Sequence, residues 1–98
     1  MSYSVLIVDD EALTLRTLGR ALGDEGFEVF LAMSGEEAIK LLSDDHPDFA
    51  LLDVVLPGIN GIEVLRQAKA VSPATIVLMM SAYHTWSIVR GSDETRRL

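Results

Sequence analysis

Four short, mostly apolar runs recur along the chain, and each is bounded by polar or turn-forming residues. They are rich in β-branched and aromatic side chains, which is typical of strands that are buried on both faces of a sheet. The predicted strands cover residues 4–9, 27–32, 49–53 and 75–80. We therefore expect a four-stranded sheet that is covered on both sides.

The segments between these runs carry apolar residues at spacings of three and four, which predicts three amphipathic helices. Their apolar faces contain Ala12, Leu15, Leu18 and Leu22 in the first helix, Ala38, Leu41 and Leu42 in the second, and Leu65 and Ala68 in the third. The helix boundaries are indicated by Asp10 as a cap and Gly26 as a stop, by Ser34 with Glu37, and by Asn60 with Glu63. Strands that alternate with helices in this way predict an α/β fold with a doubly wound, mostly parallel sheet.

The pattern weakens after the fourth predicted strand. Thr85 can cap one or two helical turns that hold Trp86, and Gly91 then ends them, so no fifth strand is predicted. The remaining residues are polar and charged. We therefore divide the chain into a core over residues 1–83 and an atypical short helix or polar tail over residues 84–98.

Composition narrows the class of protein. A hydrophobic fraction of 49% fits one compact domain of 98 residues rather than a disordered chain. The net charge of −7 argues against direct binding to nucleic acid, because a phosphate backbone repels an acidic surface. No apolar run is long enough for a membrane span or a signal peptide, and the absence of cysteine fits a cytoplasmic location.

Acidic residues follow two of the predicted buried strands. VLIVDDE runs from an apolar strand into Asp9 and Asp10, and FALLD ends at Asp53. The carboxyl ends of parallel strands converge on a crevice, so these carboxylates would meet there if the first and third strands are neighbours. Because like charges at short range repel one another, a hard divalent cation such as Mg²⁺ would resolve the conflict.

Each of these residues also has an ordinary structural interpretation. Asp10 alone is equally consistent with a helix cap, and Asp53 with a loop acid. Ser81 can simply begin the last helix, and His46 and His84 lack the spacing of a metal-binding pair. The combination favours a functional site, because two acid-terminated strands are followed by a hydroxyl residue at the end of the fourth.

Over residues 4–83 the chain resembles the receiver domains of two-component response regulators, which have a flavodoxin-like fold. The resemblance is carried by VLIVDDE, by DFALLDVVLPGINGIEVL and by TIVLMMSAY, which occur in the order and at the spacing typical of that family. It implies a phosphoacceptor signalling domain rather than a turnover enzyme. It also implies a histidine kinase or a phosphotransfer protein as the partner.

The resemblance further implies a role for individual residues. Asp53 would accept the phosphoryl group, and Asp9 and Asp10 would hold Mg²⁺ together with Asp53 and the backbone carbonyl of Val55. Ser81 would hydrogen-bond the bound phosphoryl group and move toward it, which couples modification to a changed surface.

The chain departs from the family after the fourth strand. Family members continue with a fourth helix, a fifth strand that ends in a lysine, and a fifth helix. Lysine occurs here only at Lys40 and Lys69, both before the fourth strand. The chain therefore resembles a receiver truncated after that strand, as a fragment, a frameshifted product or a natural short form would be. Its phosphorylation is expected to be impaired.

Loss of a fifth strand would leave the fourth strand as an apolar, uncharged edge. Such edges recruit other chains, so we expect a homodimer or higher oligomer through this edge. Two other functions remain open. A shortened receiver that is not phosphorylated can act as a dimerisation or kinase-binding module. A Mg²⁺-dependent phosphohydrolase of the haloacid dehalogenase type fits less well, because it needs Asp-x-Asp where this chain has Asp-Asp-Glu.

Overall fold

A computed structural model describes residues 2–56 and 58–80 in full, together with the backbone of two further strands near the C-terminus. The elements in chain order are β1 (Ser4–Val8), α1 (Ala12–Asp24), β2 (Glu28–Ala32), α2 (Gly35–Asp45), β3 (Phe49–Asp53), α3 (Gly61–Val71), β4 (Ile76–Met80), β5 (Trp86–Val89) and β6 (Thr95–Arg97). Among the described helices, none is both long and apolar enough to cross a bilayer.

The strands form one sheet in the order β2-β1-β3-β4-β5-β6, and the first four run parallel. Helix α1 packs over β1 and β2 on one face of the sheet. Helices α2 and α3 lie on the other face, where α2 packs against β1, β2 and α3. This arrangement confirms the α/β, doubly wound fold with β1 and β3 as neighbours, the condition on which the proximity of the acidic residues depended.

Two apolar clusters hold the helices to the sheet. The larger one lies on the α2–α3 side and includes Leu6, Leu42 and Val64, each at most 1% exposed. The smaller one lies on the α1 side and is built on Val5, Ile7 and Leu15. Because side chains alternate between faces along a strand, odd-numbered residues of β1 and β3 point toward α1 and even-numbered ones toward α2 and α3. This alternation sets the direction of the acids that follow.

The ends of the helices agree with the sequence in all but one respect. Ser34 and Asn60 accept hydrogen bonds from the backbone N–H groups of Glu37 and Glu63, as predicted. Gly26 has a φ of 98° where α1 stops, a left-handed conformation that glycine adopts without strain. The predicted cap of α1 is wrong, because Glu11 occupies the N-cap position and makes no side-chain cap bond. Asp10 is therefore not held in a capping role.

Polar bonds at the opposite end of the sheet fix how the central strands align. The side chain of Asp48 accepts a hydrogen bond from the N–H of Ser4 at 2.8 Å, and the Ser4 hydroxyl accepts one from the N–H of Asp48 at 3.0 Å. The N–H of Ile76 donates to the carbonyl of Asp48 at 2.9 Å. One residue therefore ties the starts of β1, β3 and β4 together.

The segment after β4 differs from the sequence-based expectation. Trp86–Val89 is a strand rather than a short helix, and it pairs antiparallel with β4, with Met80 opposite Trp86. The physical reason is that an open β4 edge offers a row of unpaired N–H and C=O groups, which β-branched and aromatic residues satisfy well as a neighbouring strand. The oligomer expected through an exposed β4 edge loses this basis, because β5 covers that edge within the same chain. Division of the chain at residues 83 and 84 remains a prediction.

Candidate functional site

The acidic residues lie together at the carboxyl end of the parallel sheet. Val8, the last residue of β1, pairs with Leu52 in β3, so the next residues are Asp9, directly after β1, and Asp53, the last residue of β3. One carboxylate oxygen from each of Asp9, Asp10 and Asp53 lies within 4.8 Å of the others. The structure thus brings together the three carboxylates that the sequence singled out.

The three acids differ in their exposure to solvent. Asp9 is buried, with 7% of its surface exposed, Asp53 is half-buried and Asp10 is exposed. A narrow apolar crevice runs beneath Asp9 and Asp53, and Leu18, Leu51 and Met80 contribute to its walls. Burial of Asp9 keeps water from that part of the site, whereas Asp10 faces solvent.

Burial raises the pKa of the Asp9 carboxyl above its ordinary value, and the negative charges of Asp53, Asp10 and Glu11 add to the increase. A hydrogen bond from the backbone N–H of Glu11 to Asp9 Oδ1, at 2.9 Å, opposes these effects by stabilising the charged form. The net rise in the pKa means that the site without a cation disfavours its own charge. An added divalent cation would remove that electrostatic cost.

Asp53 is held by the backbone of the loop that follows it. Its Oδ1 accepts a hydrogen bond from the N–H of Val55 at 3.0 Å. The N–H of Val54 donates to the carbonyl of Met80 at 3.3 Å, which ties the start of this loop to the end of β4. Among the described residues, no hydrogen-bond donor reaches the other carboxylate oxygen of Asp53. Within that part of the chain, this oxygen is not engaged in a hydrogen bond.

The other predicted site residues are less well defined. The backbone of Val55 lies beside Asp53, as the bond from its N–H shows, and its side chain is 66% exposed. Its carbonyl as a metal ligand stays a prediction. Ser81 lies outside the described residues, so its role also stays a prediction.

Sequence reasoning gave no role to Gly61, the first residue of α3. Its N–H donates to the carbonyl of Val54 at 3.0 Å, and a Cβ on Gly61 would lie 2.5 Å from the carbonyl oxygen of Asp53. Glycine therefore permits α3 to begin directly against the backbone that carries Asp53. The sequence signal was a glycine just inside a capped helix, where it has no benefit for helix stability.

Comparison with known proteins gives a consistent result. The family model described as the response regulator receiver domain matches residues 5–91. Sporulation initiation phosphotransferase F of Bacillus subtilis is 33% identical over 94 residues, which cover 96% of this chain and 76% of that protein. A cyclic di-GMP phosphodiesterase of Thermotoga maritima is 41% identical over 91 residues, or 93% of this chain.

The match spans only 24% of the length of the phosphodiesterase. Among solved structures, a CheX–CheY–BeF3–Mg²⁺ complex from Borrelia burgdorferi is similar, with a TM-score of 0.76 and 32% identity over 82% of this chain and 62% of that one. Sequence motifs, fold, acidic cluster and family match all agree, and the chain belongs to the response regulator receiver domain family.

Proposed function

We propose that this receiver domain accepts a phosphoryl group on Asp53 from a histidine kinase or a phosphotransfer protein of a two-component system. The observation that carries the proposal is the cluster of Asp9, Asp10 and Asp53, whose carboxylate oxygens lie within 4.8 Å of one another. Burial of Asp9 among other acids raises its pKa and lowers the stability of the folded protein when the carboxyl is charged. A purely structural role does not explain this loss of stability, whereas a functional site does.

Asp53 is the proposed nucleophile because of how its two oxygens are used. Oδ1 is fixed by the N–H of Val55, and this bond sets the orientation of the carboxylate. The second oxygen would attack the phosphorus of a phosphohistidine on the partner. A P–O bond forms, the P–N bond breaks, and the imidazole leaves with the electron pair and takes up a proton. The product is an acyl phosphate on Asp53.

The donor set of the cluster suits Mg²⁺, a hard cation that takes oxygen ligands and keeps several of its waters. Asp9, Asp10 and Asp53 would hold the ion, with the carbonyl of Val55 as a further candidate ligand. When bound, the ion would neutralise charge on the phosphoryl oxygens during transfer. The similar complex from Borrelia burgdorferi includes Mg²⁺, which supports this choice of ion.

A second candidate function is an interaction module that binds a kinase without being phosphorylated. It is favoured by the positions of the two lysines of the sequence, since Lys40 lies on α2 and Lys69 in the last turn of α3. The first turn of α3 lies beside Asp53, and Lys69 lies about 12 Å further along the helix axis at 1.5 Å per residue. Lys40 forms no ion pair with the acidic cluster among the described residues, and Lys69 lies near the far end of α3, so the acyl phosphate would lack a lysine as its charge partner.

Intact-protein mass spectrometry after incubation with Mg²⁺ and acetyl phosphate tests the proposal. The expected result is the addition of one phosphoryl group to the chain without substitutions and none to Asp53→Asn. Asp44→Asn is the matched control, because Asp44 is an exposed acid near the end of α2, outside the acidic cluster. That control should be phosphorylated to the same extent as the chain without substitutions.

Omission of Mg²⁺ should abolish the modification. Failure to modify a folded chain that still binds Mg²⁺ would overturn the phosphoacceptor proposal and favour the interaction module. Modification of Asp53→Asn to the same extent would place the chemistry at another residue.

A further inference from the structure

The free edge of the sheet next to α1 has features that the acidic site does not use. β2 is the outermost strand on that side, and a groove of about 560 Å³ lies between it and α1. Leu15, Gly19, Val29 and Leu31 contribute apolar or small surface to the groove, and Arg16 and Arg20 contribute charge. Leu31 is 43% exposed, so β2 presents apolar surface to solvent at this groove.

Hydrogen bonding to β1 determines which backbone groups of β2 face outward. The N–H of Glu28 donates to the carbonyl of Tyr3, and the carbonyl of Ala32 accepts from the N–H of Asp9. In a parallel pair, alternate residues of a strand bond to a given neighbour, so Glu28, Phe30 and Ala32 face β1. Val29 and Leu31 therefore direct both their N–H and their C=O groups away from the sheet.

The same two residues line the groove with their side chains. An extended peptide that bonded to the outward groups of Val29 and Leu31 would extend the sheet by one strand. Alternate side chains of that peptide would then lie on the α1 side, at the mouth of the groove. The geometry thus favours an extended occupant over a helical one.

Charge indicates which kind of peptide fits. Arg16 and Arg20 are both exposed, and neither has an ion-pair or hydrogen-bond partner among the side chains that the structure describes. Asp24, one turn beyond Arg20 on the same helix, forms no ion pair with it. The chain as a whole is acidic, with a net charge of −7, but these two neighbouring cations make the α1 side of the groove locally basic. That side of the groove therefore attracts acidic side chains.

The spacing of the arginines matches the period of a strand. Residues four apart on a helix are separated by about 6 Å along its axis. Residues two apart on a strand are separated by about 7 Å. Acidic residues at alternate positions of an added strand would therefore reach Arg16 and Arg20 together.

We infer that the α1–β2 groove binds a partner segment in extended conformation, with acidic residues at alternate positions, by strand addition to β2. Glu28 projects from the opposite face of β2, since side chains alternate along a strand, and it would repel the acids if the peptide bound with its faces reversed. A second copy of this chain is a poorer occupant. Antiparallel pairing of two β2 edges about a two-fold axis would place both arginine pairs on the same face, close to one another.

The probe is a short peptide that alternates glutamate with valine, is blocked at both ends and carries a fluorophore. Its binding is followed by fluorescence anisotropy at low salt, with a lysine–valine peptide of the same length for comparison. We expect saturable binding of the glutamate peptide only. Arg16→Ala with Arg20→Ala should weaken it by about twofold to thirtyfold, the effect of losing two exposed ion pairs.

The matched control is Lys40→Ala with Arg66→Ala, which removes the same charge from exposed positions on α2 and α3. It should change the affinity by less than about twofold, the effect of long-range charge alone. Thermal unfolding of both double variants verifies that each is folded. Equal binding of the two peptides, or equal losses in the two double variants, would contradict the inference.

Amide hydrogen exchange followed by NMR tests the backbone contribution. Exchange at Val29 and Leu31 should slow when the glutamate peptide binds, whereas exchange at Phe30 should change little because its N–H already faces β1. Unchanged exchange at Val29 and Leu31 with peptide bound would exclude strand addition. Protection of these two amides without peptide, increasing with protein concentration, would identify a second copy as the occupant and overturn the inference.

Discussion

Gly61 and Asp53 are in direct backbone contact, and a single added carbon atom would disrupt it. A Cβ on Gly61 would lie 2.5 Å from the carbonyl oxygen of Asp53 and 2.7 Å from the Cα of Val54. Both neighbours are backbone, so no side-chain movement relieves the clash. The start of α3 and the proposed phosphoacceptor therefore have to move together.

Gly61→Ala should accordingly destabilise the protein by about 1–3 kcal/mol, the usual cost of overpacking, and should also slow modification of Asp53. Gly23→Ala is the control, because Gly23 lies within α1 and a Cβ there meets no atom within 4 Å. It should stabilise the protein by about 0.5–1 kcal/mol through helix propensity. Urea unfolding measures both effects. Similar changes in stability in the two variants would show that the contact has no role.

Removal of the buried charge at Asp9 should stabilise the protein when no divalent cation is present. The raised pKa of Asp9 means that its charged form is disfavoured in the folded state by burial and by neighbouring acids. Asp9→Asn removes that cost and also removes a metal ligand. We expect a higher melting temperature than that of the unmodified chain in EDTA, and a smaller rise when Mg²⁺ is added.

The advantage of Asp9→Asn in EDTA should depend on pH. A carboxyl group whose pKa is raised on folding destabilises the protein most above its folded-state pKa, where it is charged. As the pH falls through that value, Asp9 becomes protonated in the folded protein, and the cost decreases until it is absent below the pKa of the unfolded state. The difference in unfolding free energy between the two proteins should therefore shrink on acidification. A difference that grows as the pH falls would contradict the assigned sign.

Mg²⁺ should stabilise the protein through the acidic cluster. A ligand that binds only the folded state adds about 2.7 kcal/mol at a free concentration a hundredfold above its Kd. Thermal unfolding over a Mg²⁺ titration should show this increase for the unmodified chain and a much smaller one for Asp53→Asn. An equal increase in Asp53→Asn would place the bound cation elsewhere on this acidic chain.

The cap of α3 should contribute to the stability of the site. Asn60 Oδ1 accepts a hydrogen bond from the N–H of Glu63 at 3.0 Å. Asn60→Ala should cost about 0.5–2 kcal/mol, whereas Asn60→Asp keeps the acceptor and should cost much less. Chemical unfolding separates the two variants. If both lose the same stability, the side chain has another function at this position.

The sequence predicted the four parallel strands well because each is a short, nearly unbroken apolar run between turn residues. It also predicted the acidic cluster, since Asp9 and Asp53 end strands that turn out to be neighbours. The pattern did not show how α1 begins. A carboxylate before a helix serves equally well as a cap or as a metal ligand. Here Asp10 does not cap α1, and Asp9 accepts a hydrogen bond from the N–H of Glu11.

Two other features depended on tertiary contacts that no local pattern contains. Gly61 matters because of what lies against it, which only the packing of α3 on the loop after β3 reveals. The segment Trp86–Val89 has a composition that suits a helical turn or a strand, and pairing with β4 decided between them. Hydrogen bonding to the edge of β4 therefore outweighed the local preference of this segment for a helical turn.

The alignment of β1 with β3 gives the acidic cluster a further use, as a reporter of correct folding. Side chains alternate along a strand, so a slip of β3 by one residue would turn Asp53 toward the opposite face of the sheet. The shared bonds of Ser4 and Asp48 at the far end oppose such a slip. A misregistered chain could retain its strands and helices, and thus its circular dichroism, yet lose the third carboxylate of the cluster. Binding of a divalent cation would then distinguish the native protein from compact, misregistered states that have the same circular dichroism spectrum.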